Sequence, residues 1–261
     1  MTPTTFVAVA FVTLFLLTMP VYAVVGRGRP VDAEVARRPT TLLLGVWVRD
    51  WLMWLVAPVE RALVRAGASP DILNYAGGAF GLAAGVAYAN GTIAMGGAFV
   101  LMGGLADVLD GRVARARGLG SDYGEFLDSI IDRFSEMFAY MGLALYFEPS
   151  RWAMLSTVVA LGGAMMVSYS RAKGAAVGVD CKGGVMQRAE RLVLLALASL
   201  LDNPICDYLG WPESSVLISA VTVIGAASVG TAVYRSVVIV RELRARIEKG
   251  ITPRGSGEAS E

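Results

Sequence analysis

The chain has no histidine and only two cysteines, Cys181 and Cys206. Without imidazole, proton transfer near neutral pH falls to carboxylates, and a metal site has to be assembled from oxygen ligands. Two cysteines are too few for a disulfide framework. Charge is also scarce: Asp, Glu, Lys and Arg make up 17% of the sequence, below the quarter or so usual in soluble domains. The formal net charge is +1, so no bulk basic field points to nucleic acid. The sequence shows no internal repeat and no second soluble domain.

What fills the chain instead is apolar: 55% of its 261 residues are hydrophobic. The charges cluster and leave apolar stretches of roughly 18 to 24 residues, long enough to span a membrane as helices. The pattern predicts an all-α integral membrane protein with a six-span helical core, an additional N-terminal span and a cytoplasmic interfacial amphipathic helix. Residues 1–39 read as the first span and a basic linker. The apolar run at the start lacks a preceding basic residue and a small-residue cleavage site, so it reads as retained. Residues 40–66 carry Trp47, Trp51 and Trp54 among charged residues at helical spacing, the pattern of a helix lying in the interface. Core spans are expected at 71–89, 93–114, 123–147, 152–171, 189–201 and 214–236, within a core of 67–240. Residues 241–261 are expected to form a basic helix and a disordered tail. Positive charge concentrates on alternate connections, including Arg112, Arg115, Arg117, Arg171, Lys173, Lys182, Arg188 and Arg191. That places these connections in the cytoplasm. Cys181 and Cys206 then fall on opposite sides and do not pair.

One cytoplasmic end holds an unusual density of acid. Residues 107–132 read DVLDGRVARARGLGSDYGEFLDSIID. Asp107 and Asp110 are i, i+3 at the end of one span. Gly124, Asp128 and Asp132 follow at i, i+4, i+8 on the next, so each set occupies one helix face. Two antiparallel helices joined by a short hinge bring four carboxylates into one small volume. They cannot all stay ionised in a low-dielectric site without compensation. A pair of hard divalent cations, Mg²⁺ or Mn²⁺, supplies it. Two such ions about 3.5–4 Å apart clamp the oxygens of an in-line phosphoryl displacement. Gly111, Ala114 and Gly124 leave room for a ligand, and Arg115 offers a fork for phosphate oxygens. Asp122 and Glu125 lie off the stripe, as acids at a helix start. A single aspartate at a span end is ordinary; two facing stripes of them are not.

As a pattern the stretch is D-x-x-D-G-x-x-A-R-x8-G-x-x-x-D-x-x-x-D, from Asp107 to Asp132. It resembles the signature of the CDP-alcohol phosphotransferase family at all eight fixed positions. The resemblance implies transfer of a phosphatidyl group from CDP-diacylglycerol, or an ether-lipid equivalent, to a hydroxyl acceptor, with release of CMP. It implies two ions held by Asp107, Asp110 and Asp128, with Asp132 as general base close to the second ion. Gly111, Ala114, Arg115 and Gly124 would receive the CDP portion, and Asp71 and Asn74 sit where family members line the donor site. It also implies a homodimer.

Two further stretches resemble the phosphatidylinositol-phosphate synthase branch and its archaeal ether-lipid relatives. These are RALVRAGASPD and VSYSRAKGAAVGVDCKGGVMQRAERLVLL. On that resemblance Arg133, Arg171, Lys173, Arg188 and Arg191 would bind a phosphorylated acceptor, inositol phosphate. Lys173 stands where Arg is usual, Ala175 where an acid is expected and Ala189 where Pro is frequent. The alternative acceptor is glycerol 3-phosphate. In a different class, the same aspartates would serve a divalent-cation transporter or an inactive scaffold. A transporter calls for carboxylates near the midplane of several helices, whereas these sit at one end of two.

Overall fold

The computed structural model describes residues 45–249 and, before them, residues 13, 15, 17–26, 28–32, 35 and 36. Among the described residues, seven long helices follow one another: α1 (Val46–Arg65), α2 (Pro70–Ala89), α3 (Ile93–Ala116), α4 (Asp122–Tyr146), α5 (Arg151–Ala176), α6 (Arg188–Leu209) and α7 (Ser215–Glu248). Residues 17–25 are helical as well. No strand occurs among the described residues. Local chemistry sets several boundaries. Pro70 opens α2 at a first-turn position, where its missing N–H costs nothing. Ser121 and Ser150 cap α4 and α5 by accepting from Gly124 N and Ala153 N. Gly210 ends α6 in the left-handed conformation that glycine adopts without strain.

Helices α2, α3, α5, α6 and α7 are each long and apolar enough to cross a membrane. Helix α4 is long enough, at 25 residues, but its first 15 residues carry Asp122, Glu125, Asp128, Asp132, Arg133 and Glu136. Five qualifying helices therefore stand where six spans were expected. The expected first span falls largely on residues outside those described, as do residues 40–44 and the tail 250–261.

Two expected ends move. The span placed at 189–201 continues through Pro204 to Leu209. The last span runs unbroken past 236 to Glu248, so the boundary drawn at 240 falls inside one helix. The apolar signal fades there, but nothing in the sequence breaks the helix.

Contacts between helices close into a ring, α2–α3–α6–α7–α5–α4 and back to α2, with α1 against the outside of α3. Between membrane helices there is little hydrophobic drive, so close backbone approach has to supply the contact energy. Glycine provides it. A Cβ at Gly85 would run into the Phe138 carbonyl, and one at Gly142 into the Gly85 carbonyl, where α2 crosses α4. Gly97 meets Ser199 between α3 and α6, and Gly163 meets Ser228 between α5 and α7.

Helix α1 is a single helix with Pro58 inside it. Trp51, expected as an interface anchor, is buried: its ring packs on Phe15 at 4.7 Å and its Nε1 donates to Thr18 Oγ1 at 2.9 Å. Trp47 remains exposed.

Candidate metal and phosphate site

The two acidic stripes converge as their spacing requires. Helix α3 delivers Asp107 and Asp110 from its last turns, and α4 delivers Asp128 and Asp132 from its first half. One oxygen from each of Asp107, Asp110 and Asp128 lies within 4.8 Å of the others. Asp110 is 4% exposed, and its Oδ1 accepts from Gly111 N. Its Oδ2 is buried with no hydrogen-bond partner, and so is Oδ1 of Asp128. Buried carboxylate oxygens left unpaired cost free energy. With Asp107, these two carboxylates make a three-oxygen donor set from two helices that a hard divalent cation satisfies. The residues present fit Mg²⁺ or Mn²⁺ and, with no imidazole or thiolate among them, do not fit a zinc site.

Asp132 stands apart from that trio. Its Oδ1 receives Arg188 Nη2 at 2.5 Å, and its Oδ2 lies 3.7 Å from Arg133 Nη1. Arg188 also reaches Asp107, Nη1 to Oδ2, at 2.8 Å. One guanidinium at the first turn of α6 therefore ties the α3 stripe to the α4 stripe. A cavity among α2, α3, α4 and α6 opens beside it, lined by Asn74, Asp107, Asp110, Asp132, Glu136 and Arg188.

The other expected ligand residues divide. Asn74 is buried and faces the cavity, whereas Asp71 is half-buried in the first turn of α2 and does not line it. Gly111 lies under Arg115: a Cβ there would sit 3.1 Å from Arg115 Nη1. Ala114 is half-buried on the same helix, and Gly124 takes the Ser121 cap at the start of α4. Arg171 and Lys173 are exposed near the end of α5.

Arg191 does not reach this surface. It is 1% exposed and grips Glu136 with two parallel bonds, Nε to Oε1 at 2.6 Å and Nη2 to Oε2 at 3.0 Å. Its Nη1 donates to the Met186 carbonyl. In this arrangement the guanidinium, expected on the acceptor phosphate, is instead engaged by Glu136 and the Met186 carbonyl. Glu136 itself was missed. It is the next step of the α4 stripe, four residues after Asp132, and that spacing was the available signal. Its pairing with Arg191 puts a second α4–α6 bridge beneath the Asp132–Arg188 bridge.

Comparison with known proteins places this geometry. The family model described as CDP-alcohol phosphatidyltransferase matches residues 67–233. Archaetidylinositol phosphate synthase of Methanothermobacter thermautotrophicus is 31% identical over 192 residues, 72% of this chain and 93% of that one. The crystal structure of Mycobacterium tuberculosis phosphatidylinositol phosphate synthase with CDP-DAG bound superposes with a TM-score of 0.62 at 26% identity, covering 78% of this chain and 97% of that one. The same mycobacterial protein in complex with manganese and citrate matches with a TM-score of 0.62 over 78% of this chain and 92% of that one. The family match spans residues 67–233, which contain the aspartate stretch 107–132, and the chain belongs to the CDP-alcohol phosphatidyltransferase family of membrane-integral transferases.

Proposed function

We propose that the chain transfers the phosphatidyl group of CDP-diacylglycerol, or of its ether-lipid counterpart, to inositol phosphate. The observation that carries this reading is the convergence of Asp107, Asp110 and Asp128, two of them with unpaired buried oxygens, beside Asp132 and a cationic helix start. Relatives named for inositol phosphate products, archaeal and bacterial, supply the acceptor.

In this reading Asp107, Asp110 and Asp128 hold a pair of divalent ions, with Asp132 close to the second. The ions, when bound, offset the charge that collects on the pyrophosphate and on departing CMP. Asn74, Gly111, Ala114, Gly124 and Arg115 receive the nucleotide portion of the donor, with Asp71 at the entrance. Asp132 accepts the proton of the acceptor hydroxyl. That oxygen bonds to the β-phosphorus of the donor while the bond from this phosphorus to the oxygen bridging to CMP breaks, and the bridging oxygen keeps the electron pair. Arg133, Arg171, Lys173 and Arg188 present positive charge to the acceptor's phosphate.

The same reading takes α4 as a sixth span, α1 as an interfacial helix and the N-terminal segment as an added span. The aspartate end faces the cytoplasm, supported by the positive charge on its connections. A homodimer is part of the reading and rests on the family alone.

The test is CMP release by purified protein from CDP-diacylglycerol with Mg²⁺ or Mn²⁺. Inositol phosphate, glycerol 3-phosphate, serine and no acceptor are compared, with Asp132→Asn as control. Release that requires inositol phosphate, vanishes in the variant and vanishes with EDTA is the expected result. Release with glycerol 3-phosphate in its place keeps the chemistry and overturns the acceptor.

A further inference from the structure

Arg188 was expected on the acceptor phosphate, yet its guanidinium spans Asp107 Oδ2 at 2.8 Å and Asp132 Oδ1 at 2.5 Å. It meets both stripes at once, one oxygen on each. Direct contact between α3 and α4 is slight beside the contact each makes with α2. The bridge through α6 is therefore a main link between the two acidic faces. The guanidinium is held close: its side chain is 21% exposed, and its Nε is buried with no hydrogen-bond partner. That Nε is one of five donors on the fork, and it is left unused in this arrangement.

Beneath it, Arg191 and Glu136 form a pair with side-chain exposures of 1% and 2%. That lower pair fixes the first turn of α6 against α4. Arg188 sits at the first residue of the helix, where the backbone passes into the connection 177–187. The connection contains Gly183 and Gly184, the latter at φ +128°, a conformation only glycine adopts easily. Its Met186 N–H donates to Thr231 Oγ1 and the Gly183 carbonyl accepts from Arg235, so the loop is pinned on both sides of Gly184. Arg188 is thus a long side chain at a fixed helix start, held by two carboxylates and not by the backbone beneath it.

From this geometry we infer that Arg188 is an exchangeable cation of the acidic site. It and the divalent ions compete for the carboxylates of Asp107 and Asp132, and metal loading releases its fork toward an incoming phosphate. The inference rests on the functional reading above and deepens it. The physical reason is charge accounting within one small volume. A guanidinium and a divalent ion on the same pair of carboxylates repel each other, so the gain of one partner weakens the other. A dianionic phosphate offers Arg188 a new bidentate partner at the moment the metals take its old ones. By linkage, a group that metal binding displaces must also lower the metal's affinity while it is in place. The arrangement keeps the two stripes together when no cation is bound and makes phosphate capture depend on metal capture.

The experiment uses Mn²⁺ alone, in detergent-purified full-length protein, and reads binding by electron paramagnetic resonance of free Mn²⁺. Arg188→Met is expected to bind Mn²⁺ about fivefold or more tighter than the wild type, the low end of measured coupling between sites. It should also show a lower thermal midpoint in EDTA and a larger rise in midpoint on adding Mn²⁺. Arg188→Lys, which keeps a charge but loses the fork, should fall between the two and serves if the methionine variant does not fold. Equal or weaker Mn²⁺ binding in the variants overturns the exchange: Arg188 would then orient the carboxylates for metal rather than compete for them. No substrate is present, so this outcome is separate from the acceptor question. A wild type that releases CMP only with another acceptor leaves the exchange standing. A wild type that binds no Mn²⁺ sinks both.

Discussion

Asp110 and Asp202 are the same side chain at opposite ends of one bundle, and both are buried, at 4% and 1% exposure. Burial does not separate them; satisfaction does. Asp202 spends both oxygens on backbone. Its Oδ2 accepts from Ser214 N and its Oδ1 from Leu217 N, each at 2.9 Å, with Cys206 Sγ at 3.8 Å. It caps α7 from the neighbouring helix and holds Ser214, the one non-glycine residue at positive φ among those described. Tyr146 fixes the Ser214 hydroxyl at 2.7 Å from the other side. Asp110, by contrast, has an oxygen with no hydrogen-bond partner and two more carboxylates facing it. A buried acid whose oxygens are both satisfied within the fold helps to build it. A buried acid left short of partners, among others like it, marks the place where the fold awaits a ligand.

The largest effect that tests this contrast is on activity. Asp128→Asn should reduce CMP release by about 10³-fold or more, since it removes a metal ligand from the reacting centre. The same variant should melt no lower than the wild type in EDTA, because it relieves crowding of like charge rather than breaking a bond the fold uses. A lower midpoint together with retained activity would make Asp128 a structural acid and break the comparison.

Next comes an acid that sits at the active end yet behaves like Asp202. Glu136 continues the acidic stripe, but Arg191 satisfies both of its oxygens. Arg191→Met leaves that carboxylate buried and alone, which should cost about 3–5 kcal/mol in a chemical or thermal unfolding measurement. If Arg191 instead bound the acceptor, the variant would fold normally and lose acceptor affinity. The sign of the midpoint shift decides between the two.

This pair also shows where reading the sequence stops. The aspartate stripes and their convergence were legible, because spacing of three and four residues maps directly onto one helix face. What spacing cannot show is the partner from a distant helix. Arg188 and Arg191 are three residues apart and look alike in sequence, but one meets Asp107 and Asp132 and the other vanishes against Glu136. Trp51 was misjudged for the same reason: Phe15 and Thr18 cover it from more than thirty residues away. The boundary at 240 coincides with no helix end for another reason. Hydropathy ends where the membrane does, whereas helix propensity does not.

At the far end, Asp202→Ala should cost about 1–3 kcal/mol by stranding the Ser214 and Leu217 N–H groups. Its kcat should stay near that of the wild type. A large fall in kcat with an unchanged midpoint would mean that the two ends are coupled and that satisfaction alone does not sort structural acids from functional ones.

The smallest effect concerns acids that belong to neither group. Arg112, one residue past Gly111 in the signature, is held by Glu60 of α1 at 2.5 Å and by Asp32 of the N-terminal segment at 3.1 Å. Asp32 N in turn donates to Asp50, which also receives the Tyr22 hydroxyl. This chain of contacts ties a segment outside the family match to the helix that carries Asp107 and Asp110. The side chains are 14–18% exposed, so solvent screens part of the attraction. Glu60→Gln or Asp32→Asn alone should therefore shift stability by less than about 1 kcal/mol. Either acid alone still holds the guanidinium. The double variant should then lose more than the sum of the single losses, a coupling that a double-mutant cycle on the thermal midpoint measures directly. Additive losses would show that each acid holds Arg112 independently. No loss even in the double variant would show that the N-terminal segment rests beside the signature helix without steadying it.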